Sequence, residues 1–213
     1  MNFIIQIIII VVLVGLGYYG WQAWKRQSKG RAITQDHSPS VSEASIEQVR
    51  VGGTIQLPPH GEAMETKDVQ VTARHVYEED GFQWFELEGD SGTGTVWLEG
   101  AHDDELETSV TLERLGLDDI GLTAETLQQL GQGGAEKTLA YGGRQFEFAE
   151  RGRANFRPAG DATKSEVLDY WDFEGDDDKH DLGIEGWDGQ YRVYLSQRIN
   201  PARIKIYSLG DST

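Results

Sequence analysis

The sequence predicts a mainly β protein with a single N-terminal transmembrane helix. We expect two small antiparallel β units, barrel-like or sandwich-like, packed together and joined by a short helical connector. An apolar run over residues 3–21 is long enough to cross a bilayer as a helix. After residue 46, short segments alternate apolar and polar residues, which is typical of half-buried strands. Between residues 118 and 130 the alternation gives way to the helical spacing of Leu127 and Leu130.

These patterns divide the chain into six segments, each with its own composition. Residues 32–45 are polar and rich in serine, as in a flexible tether, which separates the apolar run from the β region. The predicted segments are an anchor with a basic flank (1–31), a linker (32–45), a first β unit (46–117), a helical connector (118–137), a second β unit (138–207) and a tail (208–213).

The apolar run is predicted to be a retained anchor and not a cleaved signal peptide. Positive charge follows the run and does not precede it, and bulky Trp21 stands where a cleavage site needs a small residue. Aromatic residues at its C-terminal end favour the headgroup region. Four basic residues come next, and such residues are retained on the cytoplasmic side: Lys25, Arg26, Lys29 and Arg31. We therefore expect an integral single-pass protein with its N-terminus outside and its C-terminal domain in the cytoplasm.

Glycines within this run match a dinucleotide-binding pattern, G-x-G-x-x-G, at Gly15, Gly17 and Gly20. That pattern binds nucleotide only in the turn between a strand and a helix. Inside a membrane span the small residues would instead let a second helix approach closely, which leaves a helix-mediated dimer open.

The charge of the chain is strongly negative, at −17 from 36 acidic and 19 basic residues. Residues 32–213 hold all 36 acidic residues and 15 of the basic ones, so their formal charge is −21. Nucleic acid is excluded as a partner, because phosphate binding needs clustered Lys and Arg. The absence of cysteine excludes disulfides, thiolate metal sites and a Cys nucleophile. A basic protein or a small cation is the expected contact.

Turn chemistry supports the strand assignments. Asp80-Gly81 joins two alternating segments, 69–77 and 82–87, as expected of a hairpin. The second half loosely repeats the first, since Trp84 is echoed by Trp171. Two alignments of the halves compete, so a true duplication stays an open hypothesis.

Two neighbouring predicted strands carry a candidate cation-binding groove at Trp84, Glu86, Trp97 and Glu99. Carboxylates beside aromatic ring faces attract cations. The alternative has the tryptophans in a core and the glutamates facing solvent, and the default alternation of half-buried strands favours it.

Two acidic loops are candidates for metal binding, because oxygen and imidazole ligands suit divalent ions. The favoured interpretation is that both are solvated surface loops. We expect no cofactor and assign no catalytic residues. The loop candidates are His102, Asp103, Asp104 and Glu105 in the first, and Asp176, Asp178, His180 and Asp181 in the second.

Residues 50–112 resemble a bacterial family, the domain-of-unknown-function family 4178 (DUF4178), and the likeness extends over most of residues 46–207. The motifs that carry it are 51–54 (VGGT), 84–87 (WFEL), 97–99 (WLE), 170–175 (YWDFEG), 193–194 (VY) and 204–207 (IKIY). The resemblance implies a bacterial protein, here in the inner (cytoplasmic) membrane, with no established enzymatic activity. Neighbouring genes in that family often concern polyamine synthesis and membrane stress. The anchor is a departure from the family pattern.

The leading functional hypothesis is a membrane-tethered, cytoplasm-facing acidic β module that is not an enzyme. Its expected role is binding or scaffolding of a protein partner, which its charge predicts to be basic, with a link to membrane stress. One alternative is a metal-assisted hydrolase that uses the two acidic loops. Another is a module that binds a polyamine or another small cation at the groove.

Overall fold

The computed structural model describes residues 44–130 and 138–210. The predicted anchor with its basic flank, and all of the linker up to residue 43, lie outside these residues. Within the described part of the chain, no helix has both the length and the apolar character needed to cross a membrane.

The described chain is mainly β, with eleven strands and one short α-helix. The strands are β1 (Thr54–His60), β2 (Glu65–Glu79), β3 (Phe82–Asp90), β4 (Thr95–His102), β5 (Leu106–Leu115), β6 (Thr138–Tyr141), β7 (Arg144–Arg157), β8 (Glu166–Gly175), β9 (His180–Trp187), β10 (Gln190–Ile199) and β11 (Lys205–Ser208). The helix α1 spans Ala124–Gln129, within the predicted connector. Short 3₁₀ turns occur at Ile46–Gln48, Leu117–Ile120, Pro158–Gly160, Ala162–Lys164 and Pro201–Arg203.

All eleven strands belong to one antiparallel sheet, in the order β11-β1-β2-β3-β4-β5-β10-β9-β8-β7-β6. A further short pairing joins β2 to β7, where Val76, Tyr77 and Glu78 face Arg157, Phe156 and Asn155. This pairing partly closes eight of the strands into a ring, which is not a barrel. Arg157 also forms an ion pair with Glu78 across the closure.

The prediction of two packed β units is corrected, because both halves share this one sheet. Each half contributes four strands to the ring, β2–β5 and β7–β10. The halves are joined by a long pairing in which Ile199 of β10 faces Thr108 of β5 and Val193 faces Leu115. Such pairings connect residues far apart in the chain, so local alternation does not reveal them.

Most buried apolar residues lie on the outer face of the ring, in two clusters. A third, smaller cluster lies inside the ring and includes Tyr77, Ala154 and Leu168. Strands β1–β5 supply most of the first cluster, together with Ile46 and Val49. Strands β6–β10 and α1 supply the second, which includes the fully buried Trp171, Phe173 and Leu127. Each half thus has its own apolar core, covered by elements outside the ring. Since strand residues alternate between faces, the opposite face of these strands points into the ring.

Two local predictions about turns and the helix are confirmed. Asp80 and Gly81 both have positive φ, 49° and 87°, and close the β2–β3 hairpin as an Asp-Gly turn does. Thr123 caps α1 by accepting a hydrogen bond from the Thr126 amide at 3.2 Å.

Candidate functional site

A cavity of about 440 Å³ lies inside the ring, between strands of both halves. Its position follows from alternation along each strand. On β3, Phe85 and Leu87 join the outer apolar cluster, so Glu86 between them faces inward. On β8, Asp172 lies in the same way between the outward-facing Trp171 and Phe173.

Carboxylates dominate the wall of this cavity, with eight of them against one guanidinium, that of Arg198. Hydroxyl groups of serine, threonine and tyrosine supply most of the other polar surface. The acidic lining residues are Glu86, Glu99, Glu107, Glu150, Asp172, Glu174, Asp181 and Glu185.

Glu86 and Glu99 face each other directly on the neighbouring strands β3 and β4. Burial raises the pKa of each carboxyl to about 8, with further contributions from Glu185 at Glu86 and from Glu86 at Glu99. Glu86 is buried, whereas the Glu99 side chain is exposed and lines the cavity. Among the described residues neither carboxylate has a hydrogen-bond or ion-pair partner, so both are free to receive a ligand.

Asp172 and Glu185 bring two more carboxylates into the cavity from β8 and β9. Burial, and next the negative charge of Glu99, raises the pKa of Asp172 well above its usual value. No described residue donates a hydrogen bond to the Asp172 carboxylate or pairs with it. Glu185 differs, because its carboxylate accepts a hydrogen bond from the hydroxyl of Tyr194. Burial still raises the pKa of Glu185.

Aromatic and guanidinium groups pack beside the carboxylates inside the ring. The ring centroids of Tyr77 and Trp84 are 5.2 Å apart, and His75 stacks on Trp97 at 5.9 Å. The guanidinium of Arg114 lies 3.7 Å from the Trp97 ring centroid, a cation–π contact.

Arginine charge reaches only part of the carboxylate cluster. Arg114 and Arg192 both lower the pKa of Glu86 and of Glu185, which offsets part of the effect of burial. At Glu99 and Asp172, by contrast, the largest electrostatic contributions all come from acidic residues. Glu99 from one half and Asp172 from the other are therefore the uncompensated pair.

Arg198 supplies the cavity's only lining guanidinium within the described residues, and it is already engaged. Its Nε and Nη2 atoms donate to the Asp181 carboxylate at 2.6 and 2.8 Å. Glu174 lies 3.8 Å from the same guanidinium. A bidentate pair of this kind holds Arg198 and Asp181 together, so Arg198 does not neutralise the deeper carboxylates.

The groove residues named from the sequence all lie within the ring. Glu86 and Glu99 meet in the cavity, Trp84 packs on Tyr77, and Trp97 contacts His75 and Arg114. The favoured alternative had both glutamates facing solvent. Glu86 is buried instead, whereas Glu99 is exposed and lines the cavity.

Of the eight loop residues considered as metal ligands, three are engaged with other groups and five are exposed. His102 Nδ1 lies 3.0 Å from Glu47 Oε1, and His180 Nδ1 lies 2.6 Å from Asp177 Oδ2. Asp181 holds Arg198, as described. Asp103, Asp104, Glu105, Asp176 and Asp178 are exposed. In residues 44–130 and 138–210, no three His, Asp or Glu side chains are grouped so that they could hold a metal ion.

Sequence reasoning missed Asp172 and Glu185 as members of the site. A signal for them was present, because they follow Glu86 and Glu99 at one and the same spacing along the chain. The echo of Trp84 in Trp171 hid it, since Trp84 faces into the ring whereas Trp171 belongs to the outer cluster. The pairings also differ, for Asp172 faces Gly183 and not Glu185.

The sheet and its acidic cavity define a β domain, and comparison with known families places it. The sequence pattern of the family described as "Domain of unknown function (DUF4178)" matches residues 63–201. The chain therefore belongs to the DUF4178 family, and the match includes both halves of the ring. No curated protein and no solved structure matches it significantly.

Proposed function

We propose that this DUF4178 domain is a non-enzymatic module that binds a small organic cation in the cavity of the ring. One observation carries the proposal. Glu99 and Asp172 face the cavity from opposite halves, and neither has a hydrogen-bond or ion-pair partner among the described residues. Carboxylates that share one cavity without partners repel one another, and a bound cation would supply the missing partner.

The surroundings favour an organic cation of the amine class, including a polyamine. A volume of about 440 Å³ lies in the usual range for small-molecule sites, ~300–1,000 Å³. Carboxylates and tyrosine hydroxyl oxygens can accept hydrogen bonds from an ammonium group. Trp84 and Trp97 do not line the cavity, and Arg114 already lies over the Trp97 ring, so the carboxylates would provide the recognition.

Metal-assisted hydrolysis has less support than binding. The imidazoles that such a site would use are occupied, His102 with Glu47 and His180 with Asp177. Asp181 is likewise held by Arg198. We therefore keep binding as the function and assign no catalytic residue.

The proposed setting is the cytoplasmic face of a bacterial inner membrane, with the domain tethered by the N-terminal run. Support for this part comes from the sequence alone, from the apolar residues 3–21 and the basic residues that follow. A basic protein partner fits the charge of −21 carried by residues 32–213, of which 36 are acidic and 15 basic. We place a scaffolding role, and its link to membrane stress, in this same proposal.

Isothermal titration calorimetry of the full-length protein with spermidine tests the binding function. We expect saturable binding, and at least a tenfold loss of affinity in Glu99→Gln and in Asp172→Asn, because loss of a buried ion-pair partner costs over 1.4 kcal/mol. Glu105→Gln is the matched control, because this exposed loop carboxylate does not line the cavity.

Ionic strength separates site binding from general attraction to an acidic protein. Screening weakens exposed charge interactions at high salt much more than buried ones. The difference between the parent protein and Glu99→Gln should therefore persist at 0.5 M salt. Equal affinities for the parent, Glu99→Gln and Glu105→Gln would contradict the proposal.

A further inference from the structure

We propose that the cavity exchanges protons for its cation, so that Glu99 and Asp172 hold protons while the cavity is empty and release them when the cation enters. This inference rests on the proposed function and adds its regulation by pH. The arrangement of charges inside the ring supports it.

Eight carboxylates share the wall of one cavity, so each is surrounded by groups that carry the same charge when ionised. Glu86 faces Glu99 directly across neighbouring strands. The charges of Glu86, Glu185 and Asp181 all act on Glu99. Like charges that share a low-dielectric site disfavour one another's ionised forms. This arrangement favours a proton kept within the cluster until a positive charge arrives.

The wall around Asp172 has the same character. Besides Glu99, the carboxylates of Glu150, Glu185 and Asp181 oppose its ionisation. Glu107 and Glu174 add acidic groups to the lining from β5 and β8.

The cations near the cavity are committed elsewhere. Arg198 is held by Asp181 and lies near Glu174. Arg114 and Arg192 act on Glu86 and Glu185. Glu185 is also stabilised by hydrogen bonds from Tyr194 and Tyr77.

Glu99 and Asp172 are consequently the two members of the cluster without compensation. Burial raises the pKa of Glu99 to about 8, in line with a proton retained at neutral pH. A neutral carboxyl group attracts an ammonium ion weakly, whereas a carboxylate attracts it strongly. Cation entry and proton loss therefore favour each other by linkage.

The linkage fixes the direction of the pH dependence. Below the pKa of the empty site, each proton released on binding makes the affinity rise about tenfold per pH unit. Above it the carboxyl groups are already ionised, and the affinity becomes independent of pH. A module of this kind would hold its cation at alkaline pH and release it as the cytoplasm acidifies.

The test is calorimetry of the full-length protein with spermidine at pH 7, in two buffers that differ in their enthalpy of ionisation. Protons released by the protein are taken up by the buffer. The apparent binding enthalpies in the two buffers should therefore differ, by an amount that corresponds to release of about one proton or more per bound ligand. The difference should fall in Glu99→Gln and in Asp172→Asn, and stay at the parent value in Glu105→Gln.

A measurement without ligand complements this. The infrared carbonyl stretch of protonated carboxyl groups should be present in the empty parent protein at pH 7 and reduced in both Glu99→Gln and Asp172→Asn. A normal circular dichroism spectrum would show that each variant is folded.

The outcomes separate the two proposals. Spermidine binding with heats that do not depend on the buffer would overturn the exchange and leave the binding function standing. Absence of the carboxyl band from the empty protein would also overturn the exchange. Absence of binding at every pH would overturn the binding function, and the exchange with it.

Discussion

At the scale of single residues, the carboxylates inside the ring lower the free energy of unfolding when they are ionised. Glu99 has no partner among the described residues, and its ionised form is disfavoured by burial and by Glu86. Residues kept in an unfavourable environment often serve a function that needs them there. This cost should be measurable as a dependence of the free energy of unfolding on pH.

Replacing Glu99 with glutamine should stabilise the protein at alkaline pH. The pKa of Glu99 is about 8 in the folded protein and near 4.5 when unfolded, so the folded state binds more protons between these values. Stability of the parent therefore falls as pH rises from about 4.5 to about 8, and glutamine removes this contribution. Thermal melts should show a Glu99→Gln midpoint a few degrees above the parent at pH 8.5, with ~1 kcal/mol worth about 2–4 °C.

The same melts at pH 5 should give nearly equal midpoints, because Glu99 is then protonated in the folded parent. Glu105→Gln, which changes an exposed carboxylate, should follow the parent throughout. A Glu99→Gln midpoint that lies below the parent at pH 8.5 would show that the carboxylate stabilises the fold.

Part of this site could be predicted from the sequence, and the limit is physical. Alternation places Trp84 and Glu86 on one face of β3, and the Asp-Gly turn fixes the local hairpin. Which face is inside depends on what covers each side, and here the apolar face is covered from outside the ring. A strand buried on both faces gives no local sign of that choice.

At the scale of elements, the hairpins were predictable and the closure of the ring was not. The β2–β3 connection carries its signal in Asp80 and Gly81. The β5–β10 and β2–β7 pairings depend instead on contacts between distant segments, such as Tyr77 with Phe156. The choice of partner strand depends on how well side chains on the two strands fit together.

Gly100 on β4 should not tolerate a side chain. It pairs with Phe85 on β3, whose ring lies over it, and a Cβ atom at residue 100 would be 2.7 Å from Phe85 Cε1. Phe85 is buried in the first outer cluster and has little room to move. We expect Gly100→Ala to lower the free energy of unfolding by about 1–3 kcal/mol, as overpacked cores do, measured by urea denaturation.

Gly183 on β9 provides the matched control for this substitution. A Cβ atom there would meet Asp172 Oδ1 at 3.5 Å, an ordinary contact, and the added methyl would lie in the cavity. Gly183→Ala should therefore be neutral, or stabilising by up to ~1 kcal/mol through the entropy of the unfolded chain. If both variants lost the same free energy of unfolding, the clash with Phe85 would not be the cause of the loss in Gly100→Ala.

At the scale of the whole molecule, the two halves contribute equally to one site although their apolar cores are separate. Glu86 and Glu99 come from the first half, Asp172 and Glu185 from the second. The strands of both halves place acidic side chains on the inner face of the ring, so negative charge is concentrated around the cavity. The uneven distribution of charge along the chain also predicts how the protein is oriented in the membrane.

The chain should place its acidic domain in the cytoplasm. Residues 1–31 contain four basic residues and no acidic ones, whereas residues 32–213 hold all 36 acidic residues and 15 basic ones. Basic residues that flank an apolar run are retained on the cytoplasmic side, and here they follow the run. A C-terminal fusion to a reporter that is active only in the cytoplasm should be active, and a fusion to a periplasm-dependent phosphatase should be inactive. Substituting Lys25, Arg26, Lys29 and Arg31 with glutamine, and adding lysines before the run, should reverse both signals. Phosphatase activity in the unaltered chain would contradict this orientation, and the proposed cytoplasmic setting of the cavity with it.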